Sequence, residues 1–195
     1  MERKEDKGVF LMGGDRLIDN NDLYFYVYKS LKLSTKLKKN ISVERIKTDT
    51  YRKELIFHPM WLAKLLVIAD RKPFPPKQVP MICFVDAVSG YRGLSSEFKI
   101  TKCSTEPTEM KEPKIVKQED IERYIKDVQN RQINRSYILK KPRHKIVDYS
   151  LVYLPLWKIE IDSVLIPEPL ILNANTGESE KYLSSQWGTD NWFLQ

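Results

Sequence analysis

The longest apolar run of the chain, MWLAKLLVIAD at residues 60–70, fits two kinds of element. Trp61, Leu65 and Ile68 are spaced like one face of a helix, and Leu, Ala and Met favour helices. A nearly continuous apolar run is also typical of a strand that is buried on both faces. Lys64 interrupts the run, which is shorter than the roughly 20 residues of a membrane-spanning helix, so we expect no membrane span here.

Internal repetition of the sequence distinguishes these two possibilities. The segment LIFHPMW at residues 55–61 recurs as LVYLPLW at residues 151–157, and FVDAVSG at residues 84–90 recurs as ILNANTG at residues 171–177. A stripe with helical spacing precedes both pairs. Three matched blocks in one order predict a duplication of the chain. The predicted parts are a first repeat over residues 15–100, a linker over 101–117, a second repeat over 118–187 and an aromatic C-terminal tail over 188–195.

The second copy indicates which element the repeated motif forms. Trp157, Ile159 and Ile161 alternate with charged residues, which is typical of a strand with one wet face. Because MWLAKLLVIAD follows the same Pro-Xaa-Trp motif, the sequence predicts that it is also a strand. We expect it to pair antiparallel with MICFVDA at residues 81–87.

The same alignment makes Trp61 equivalent to Trp157 and Gly90 equivalent to Gly177. Ser-Gly and Thr-Gly at the ends of these strands are typical of tight turns, in which glycine adopts a positive φ. The sequence therefore predicts the same turn in both copies.

A helix is expected at the start of each copy. QEDIERYIKDVQNRQ at residues 118–132 begins with acidic residues and carries one apolar stripe, as a helix does. Its counterpart NNDLYFYVYKSLKLSTKLKK has a capping candidate in Asn21 or Asp22. We expect strands near residues 41–48 and, equivalently, 136–140. The predicted fold class is α+β, in two tandem repeats that each pack one helix on a three- to four-stranded antiparallel meander.

A helix, a strand of the form WKIEI and a strand that runs into LNANTGESEKY together resemble the PepSY domain pattern. In the first copy, VDAVSGYRG carries the corresponding Ala87, Ser89 and Gly90. The resemblance implies a non-catalytic module of the kind found in propeptides of thermolysin-type peptidases and in bacterial envelope sensors, usually outside the cytoplasm. The segment DRKPFPPKQVP of the first copy departs from this pattern.

The composition is that of a globular protein with a substantial core: 195 residues, 42% hydrophobic and 30% charged. A formal net charge of +7 favours anionic partners. The first residues lack the apolar stretch of a secretory signal, so we expect a cytoplasmic location for the chain as given, or an extracytoplasmic one if a signal or anchor precedes residue 1. Cys83 and Cys103 could pair or remain thiols, and the strand-like surroundings of Cys83 favour a buried thiol.

Residue types that catalysis requires are few and scattered. His58 and His144 occupy non-equivalent positions of the two copies, and we expect His58 to be a partly buried strand residue. Asp86 begins a turn in which its counterpart is Asn173, which favours a turn-forming hydrogen bond over acid chemistry. The cysteines and histidines lack metal-ligand spacing, and no Gly-rich phosphate loop is present. We therefore expect no enzyme, no metal and no cofactor.

Basic residues concentrate between the helix and the Pro-Xaa-Trp strand of both copies. In one interpretation they are solvated helix ends and loops. In the other they form two related surfaces for nucleic acid or another polyanion. The residues assigned to this alternative function are Lys38, Lys39, Lys140, Lys141 and Arg143.

The segment DRKPFPPKQVP at residues 70–80 has three prolines around Phe74. It fits either a stiff exposed loop that presents one aromatic side chain to a partner or a plain crossover whose Phe74 packs on the core. The aromatic tail must dock either on its own repeat or on a second subunit. The leading hypothesis is a non-enzymatic binding or regulatory protein that recognises a protein or peptide through this loop and its sheet edges. The predicted contact residues are Phe74, Trp61, Trp157 and Tyr91.

Overall fold

The computed structural model of the protein describes residues 9–14, 16–38, 41–95, 99–103 and 109–194. The helices of these segments are α1 (Leu23–Ser30), α2 (Leu33–Lys36), α3 (Val43–Asp49), α4 (Gln118–Val128) and α5 (Lys181–Gln186). The strands are β1 (Phe10–Met12), β2 (Thr50–Arg71), β3 (Phe74–Asp86), β4 (Arg92–Ser95), β5 (Ile100–Lys102), β6 (Arg143–Ile161) and β7 (Leu170–Asn173). A π-helical turn, Gln129–Ile133, continues α4, and a 3₁₀ turn, Asn134–Ser136, follows it.

The strands of the described residues form a seven-stranded sheet with the hydrogen-bonding order β4-β3-β2-β6-β1-β5, and β7 also pairs with β6. Helices account for 25% of the structure and strands for 40%. The fold class is therefore α+β, as the sequence predicts.

Strand β2 contains the apolar run that is ambiguous in the sequence. It pairs antiparallel with β3, so that Trp61 lies opposite Val85 and Leu66 lies opposite Pro80. The strand prediction is confirmed. Helix propensities differ by only a few tenths of a kcal/mol per residue, whereas burial of a side chain such as Leu65, which is 1% exposed, stabilises the strand by roughly 1.5–3 kcal/mol.

The chain forms two compact units, and each unit draws on both halves of the sequence. Unit 1 comprises Met1–His58, Thr101–Lys111 and Leu154–Ser185, and unit 2 comprises Pro59–Ile100, Glu112–Tyr153 and Gln186–Gln195. The long strands β2 and β6 therefore each contribute one end to unit 1 and the other end to unit 2. The predicted boundaries follow the sequence copies and stay a prediction, whereas the compact units combine parts of both copies.

The core of unit 1 combines a helix from the first half of the sequence with strands from the second half. Leu23 and Val27 of α1 and Ile46 of α3 are buried in one cluster with Ile159 of β6 and Leu172 of β7. The helix that precedes the first meander therefore packs on the strands of the second.

The core of unit 2 has the reciprocal composition. Ile121 and Ile125 of α4 are buried with Leu65 and Val67 of β2 and Val85 of β3. The acidic residues in the first turn of α4 complement the helix dipole, and the apolar stripe faces the sheet as predicted. The two halves of the sequence thus exchange their helices, a connectivity that the predicted architecture of one helix on its own meander did not include.

The two glycine turns have the same hydrogen bonds. Gly90 N donates to Asp86 O at 2.9 Å, and Gly177 N donates to Asn173 O at 2.8 Å. The side-chain Oδ1 of Asp86 and of Asn173 each accepts from the backbone N–H two residues on, at 2.8 and 3.0 Å. Gly90 and Gly177 have φ angles of 77° and 73°, where side chains other than glycine are strained. The predicted turn-forming roles of Asp86 and Asn173 are confirmed.

The prolines of the repeated motif fix these turns to the long strands. Pro59 O accepts from Ala87 N at 3.1 Å, and Pro155 O accepts from Ala174 N at 2.9 Å. The Pro-Xaa-Trp motif therefore lies where each long strand meets the turn of the following strand.

The strand expected near residues 41–48 is wrong, because α3 occupies most of this segment. Ser42 is the N-cap, and its Oγ accepts from Arg45 N at 3.1 Å, while Ile46 buries its side chain in the core. The strand expected near 136–140 is also wrong, since this segment has no regular strand structure.

Helix α1 confirms the helix predicted after residue 20, with a different capping arrangement. Asp22 is the N-cap residue but its side chain makes no capping hydrogen bond. Asp19 Oδ1 instead accepts from Asn21 N at 2.7 Å and from Asp22 N at 3.0 Å. These backbone hydrogen bonds lower the pKa of Asp19.

Candidate functional site

The segment predicted as a proline-stiffened loop forms the end of a long β-hairpin. Strand β2 continues to Arg71 and β3 begins at Phe74, so only two residues connect them. Among the described residues, β4 pairs with β3 from Ile82 to Val85, and none of them pairs with the proline-containing part of β3 on that side. Phe74 is 68% exposed at this hairpin end, in agreement with the predicted exposed aromatic side chain.

The loop between the 3₁₀ turn and β6 presents two further apolar side chains. Ile138 is 92% exposed and Leu139 is 100% exposed. The loop is held by Lys141, whose Nζ donates to Asn134 O at 2.7 Å and to Tyr137 O at 2.8 Å. The two aliphatic side chains therefore protrude from a loop that hydrogen bonds keep in place.

Asp70 joins this loop to the hairpin end. Lys140 Nζ donates to Asp70 Oδ2 at 2.7 Å, and Arg143 Nη2 lies 3.4 Å from Asp70 Oδ1. The hydrogen bond from Lys140 is the main cause of the lowered pKa of Asp70, and Arg143 adds to it. Since Arg71 is the residue opposite Phe74 in the hairpin register, the ion pairs bring the two elements together within unit 2.

We call the resulting patch the tip surface. Its members are the exposed apolar side chains of the hairpin end and the loop together with the basic side chains beside them. They are Arg71, Lys72, Phe74, Lys77, Ile138, Leu139, Lys140, Lys141 and Arg143.

The charge of the tip surface is strongly one-sided. Residues 71–85 and 134–147 together contain eight basic residues and no acidic residue. Asp70, which precedes the first of these segments, is already paired with Lys140 and Arg143. The tip surface therefore combines isolated apolar side chains with a group of basic side chains, and the positive potential of this group attracts anions.

Three of the four predicted contact residues lie elsewhere and support the fold. The indole Nε1 of Trp61 donates to Ile115 O at 2.8 Å beside the core of unit 2. The half-buried Trp157 packs on the core of unit 1. The ring of Tyr91 lies edge-on to that of Trp192, with centroids 5.0 Å apart. Of the predicted partner-contact set, only Phe74 belongs to the tip surface.

The predicted polyanion-binding residues divide between the units. Lys140, Lys141 and Arg143 belong to unit 2, and Lys38 lies exposed after α2 in unit 1. Lys39 lies outside the described residues. The sequence Leu-Lys-Lys occurs at both places, and its leucines are both exposed, Leu37 by 76% and Leu139 completely.

The aromatic tail docks on unit 2, to which it belongs, through Arg92. Arg92 Nη1 donates to Trp192 O at 2.7 Å, and its Nη2 lies 2.7 Å from Asp127 Oδ2. Leu194 N donates to Tyr124 Oη at 3.1 Å. The tail therefore attaches to α4 and to the strand after the first glycine turn, rather than standing free.

The histidine and the cysteine considered for catalysis are buried within strands of the sheet. His58 is completely buried in β2, further than predicted. Cys83 is completely buried in β3, and desolvation raises the pKa of its thiol to about 12, in agreement with the predicted buried thiol. Over the described ranges, no three His, Cys, Asp or Glu side chains are grouped in a way that could hold a metal ion.

Comparison with known proteins gives no relative from which a function could be transferred. No known family model, curated protein or solved structure matches the chain. Within the part of the chain that the structure describes, no helix is long and apolar enough to cross a membrane.

Proposed function

We propose that this protein is a non-enzymatic binding protein whose tip surface recognises an anionic partner. The observation that carries the proposal is the pairing of Asp70 with Lys140 and Arg143, which joins the apolar hairpin end to the basic loop. Exposed apolar side chains surrounded by cations suit a partner that offers both negative charge and a surface on which Phe74 can be buried.

The two sequence-based hypotheses merge in this proposal. One assigned Phe74, Trp61, Trp157 and Tyr91 to a protein or peptide partner, and the other assigned Lys38, Lys39, Lys140, Lys141 and Arg143 to nucleic acid or another polyanion. Because Phe74 of the first set and Lys140, Lys141 and Arg143 of the second belong to the tip surface, one anionic partner can contact these four residues. The non-enzymatic role stays a prediction.

The PepSY resemblance and the duplication are part of the same proposal. Each unit packs helices on antiparallel strands, and the turns at Gly90 and Gly177 share their hydrogen bonds. These features support two PepSY-like modules that arose by duplication and exchanged helices. The cytoplasmic location of the chain as given stays a prediction.

The proposal is tested by retention on immobilised heparin, a soluble polyanion, at increasing salt. The tip variant Lys72→Gln/Lys77→Gln removes two exposed cations and leaves the ion pairs of Asp70 and the hydrogen bonds of Lys141 intact. The matched control, Lys114→Gln/Lys117→Gln, removes the same charge from other exposed positions of unit 2. We expect the tip variant to elute at clearly lower salt than the control. Salt screens distant charges, so only the cations that lie close to the bound polyanion contribute to its retention.

Equal elution of the two variants would contradict the proposal, because net charge alone would then explain retention. Circular dichroism of both variants checks that the fold is unchanged.

A further inference from the structure

We infer that the anionic partner of the tip surface is a phospholipid bilayer that contains acidic lipids. In this arrangement Phe74, Ile138 and Leu139 enter the interface between headgroups and acyl chains while the neighbouring lysines and arginines lie at the phosphates. The inference rests on the proposed function, since it names the partner of the same surface.

The apolar side chains of the tip surface are largely exposed to water. Phe74, Ile138 and Leu139 are 68%, 92% and 100% exposed and project from the hairpin end and the neighbouring loop. A side chain with its whole surface open to water lines no groove, so these residues do not form a pocket for a peptide side chain. Protruding apolar side chains gain by entering the headgroup and acyl boundary of a bilayer.

The tip surface is complementary in charge to an acidic bilayer. Eight basic residues and no acidic residue occur in residues 71–85 and 134–147, which supply the hairpin end and the loop. Each Lys or Arg near an acidic bilayer surface adds to the attraction, and the attraction falls within a Debye length. Basic and apolar side chains lie next to each other in the tip surface. A bilayer offers a partner for each kind, because its phosphates lie at the surface and its hydrocarbon lies directly beneath them.

Nucleic acid accounts for the cations but not for the aliphatic side chains. Proteins hold phosphates with basic and polar groups, and they hold unpaired bases with aromatic rings or with arginine. Ile138 and Leu139 offer neither a ring nor a hydrogen bond, so a nucleic acid would leave them in water.

The same combination recurs in unit 1, in the segment after α1. Leu33 and Leu37 are 71% and 76% exposed, and Lys32 and Lys38 beside them are also exposed. Each unit therefore presents exposed leucine beside lysine after its main helix. Because exposed leucines beside lysines occur in both units, this combination is not confined to the loop of unit 2.

Vesicle co-sedimentation tests the inference with the full chain. The probes are vesicles of phosphatidylcholine alone and of phosphatidylcholine mixed with phosphatidylserine. We expect binding to the mixed vesicles only, and we expect Phe74→Ser and Leu139→Ser each to weaken it about tenfold, as removal of one inserted apolar side chain should. The control Val116→Ser changes an aliphatic residue that is 59% exposed outside the tip surface and should leave binding unchanged.

Each other outcome overturns the inference, and its failure is distinguishable from that of the proposed function. If the mixed vesicles are not bound while heparin retention still depends on the tip lysines, the partner is a soluble acidic protein or a nucleic acid and the proposed function stands. Equal binding to phosphatidylcholine alone, or equal loss in Leu139→Ser and Val116→Ser, also overturns it. If neither probe responds to the tip variants, both proposals fail.

Discussion

In unit 1 the second glycine turn is closed by Tyr26 of α1, whereas in unit 2 the first is closed by Tyr124 of α4. A Cβ on Gly177 would lie 2.1 Å from the ring of Tyr26, and one on Gly90 would lie 2.9 Å from the ring of Tyr124. The hydrogen bonds inside the two turns are the same, so the same turn geometry packs under two different tyrosine rings. We call each of these rings a tyrosine lid. Asp86 and Asn173 have the same role in these turns because both provide the accepting Oδ1.

The units differ in the residues that come directly after the turn. In unit 2 the residue two positions after Gly90 is Arg92, which is buried and holds Asp127 and the carbonyl of Trp192. The corresponding residue of unit 1 is Ser179, which forms a single bridge to Leu172. The two turns share their backbone hydrogen bonds, and in unit 2 the side chain of Arg92 additionally binds the C-terminal tail.

The largest effects are expected from the turn glycines. Gly177→Ala places a methyl group against the ring of Tyr26 and imposes a strained positive φ, so we expect it to lower the free energy of unfolding by about 3 kcal/mol or more. We expect Gly90→Ala to cost less, about 2 kcal/mol, because its contacts are longer. Hydrogen exchange resolved by segment should show that each change deprotects its own unit first.

A matched control for the glycines is Gly188→Ala, whose Cβ would meet nothing within 4 Å. It should leave the free energy of unfolding within about 0.5 kcal/mol of the parent. Equal stability of Gly177→Ala and Gly188→Ala would refute the tyrosine-lid account.

The buried ion pair of unit 2 provides the next largest effect. Arg92→Met keeps the apolar stem but removes one of the two cations that pair with Asp127, whose Oδ1 lies 2.9 Å from Arg131 Nε. Breaking a buried ion pair completely typically costs about 3 kcal/mol, so the loss of this one partner should cost less. Part of this cost is local, because Trp192 O also loses a donor, so we expect about 2 kcal/mol in the global free energy of unfolding. Tail amides should exchange faster while unit 1 stays protected.

The exposed pair of Lys181 with Glu168 serves as the control for Arg92→Met, because both side chains are about 70% exposed. Lys181→Met should cost less than about 0.5 kcal/mol. Unchanged exchange of the tail in Arg92→Met would show that Arg92 does not anchor it.

The smallest effect is expected from Glu180 of unit 1, at the position that corresponds to Gly93 of unit 2. Desolvation raises the pKa of Glu180, so its ionised form opposes folding above the folded-state pKa. This cost is absent below the unfolded-state pKa, about 4.3. Glu180→Gln should therefore stabilise the protein at pH 7, by up to about 1 kcal/mol, and the gain should shrink as the pH falls. Urea unfolding at several pH values measures it, and a gain that is independent of pH would contradict the assignment.

Sequence patterns predicted local elements well where two copies could be compared. The strand over MWLAKLLVIAD followed from its match to the alternating second copy, against its own helix propensity. The helix α3 was missed because it was aligned with residues 136–140, which carry no comparable stripe, although Ser42 is a good N-cap residue.

Two features had no local signal. An apolar stripe on a helix indicates that it is buried, but not against which strands, so the exchange of helices between the halves could not be predicted. The Asp70 ion pairs join residues about 70 positions apart, and charge alone did not select these partners from the many others in the chain. Phe74 was found because three prolines surround it, whereas Ile138 and Leu139 had only their basic neighbours as a signal.

The passage of β2 and β6 through both units has a consequence for how the chain can be divided. Neither half of the sequence contains a complete core, since α1 needs β7 and α4 needs β3. A cut between Cys103 and Glu109 should therefore yield two fragments that hold each other without a covalent link, and each fragment alone should remain unfolded. In genetic terms, we expect the halves to complement one another in trans and a truncation in either half to remove both units at once.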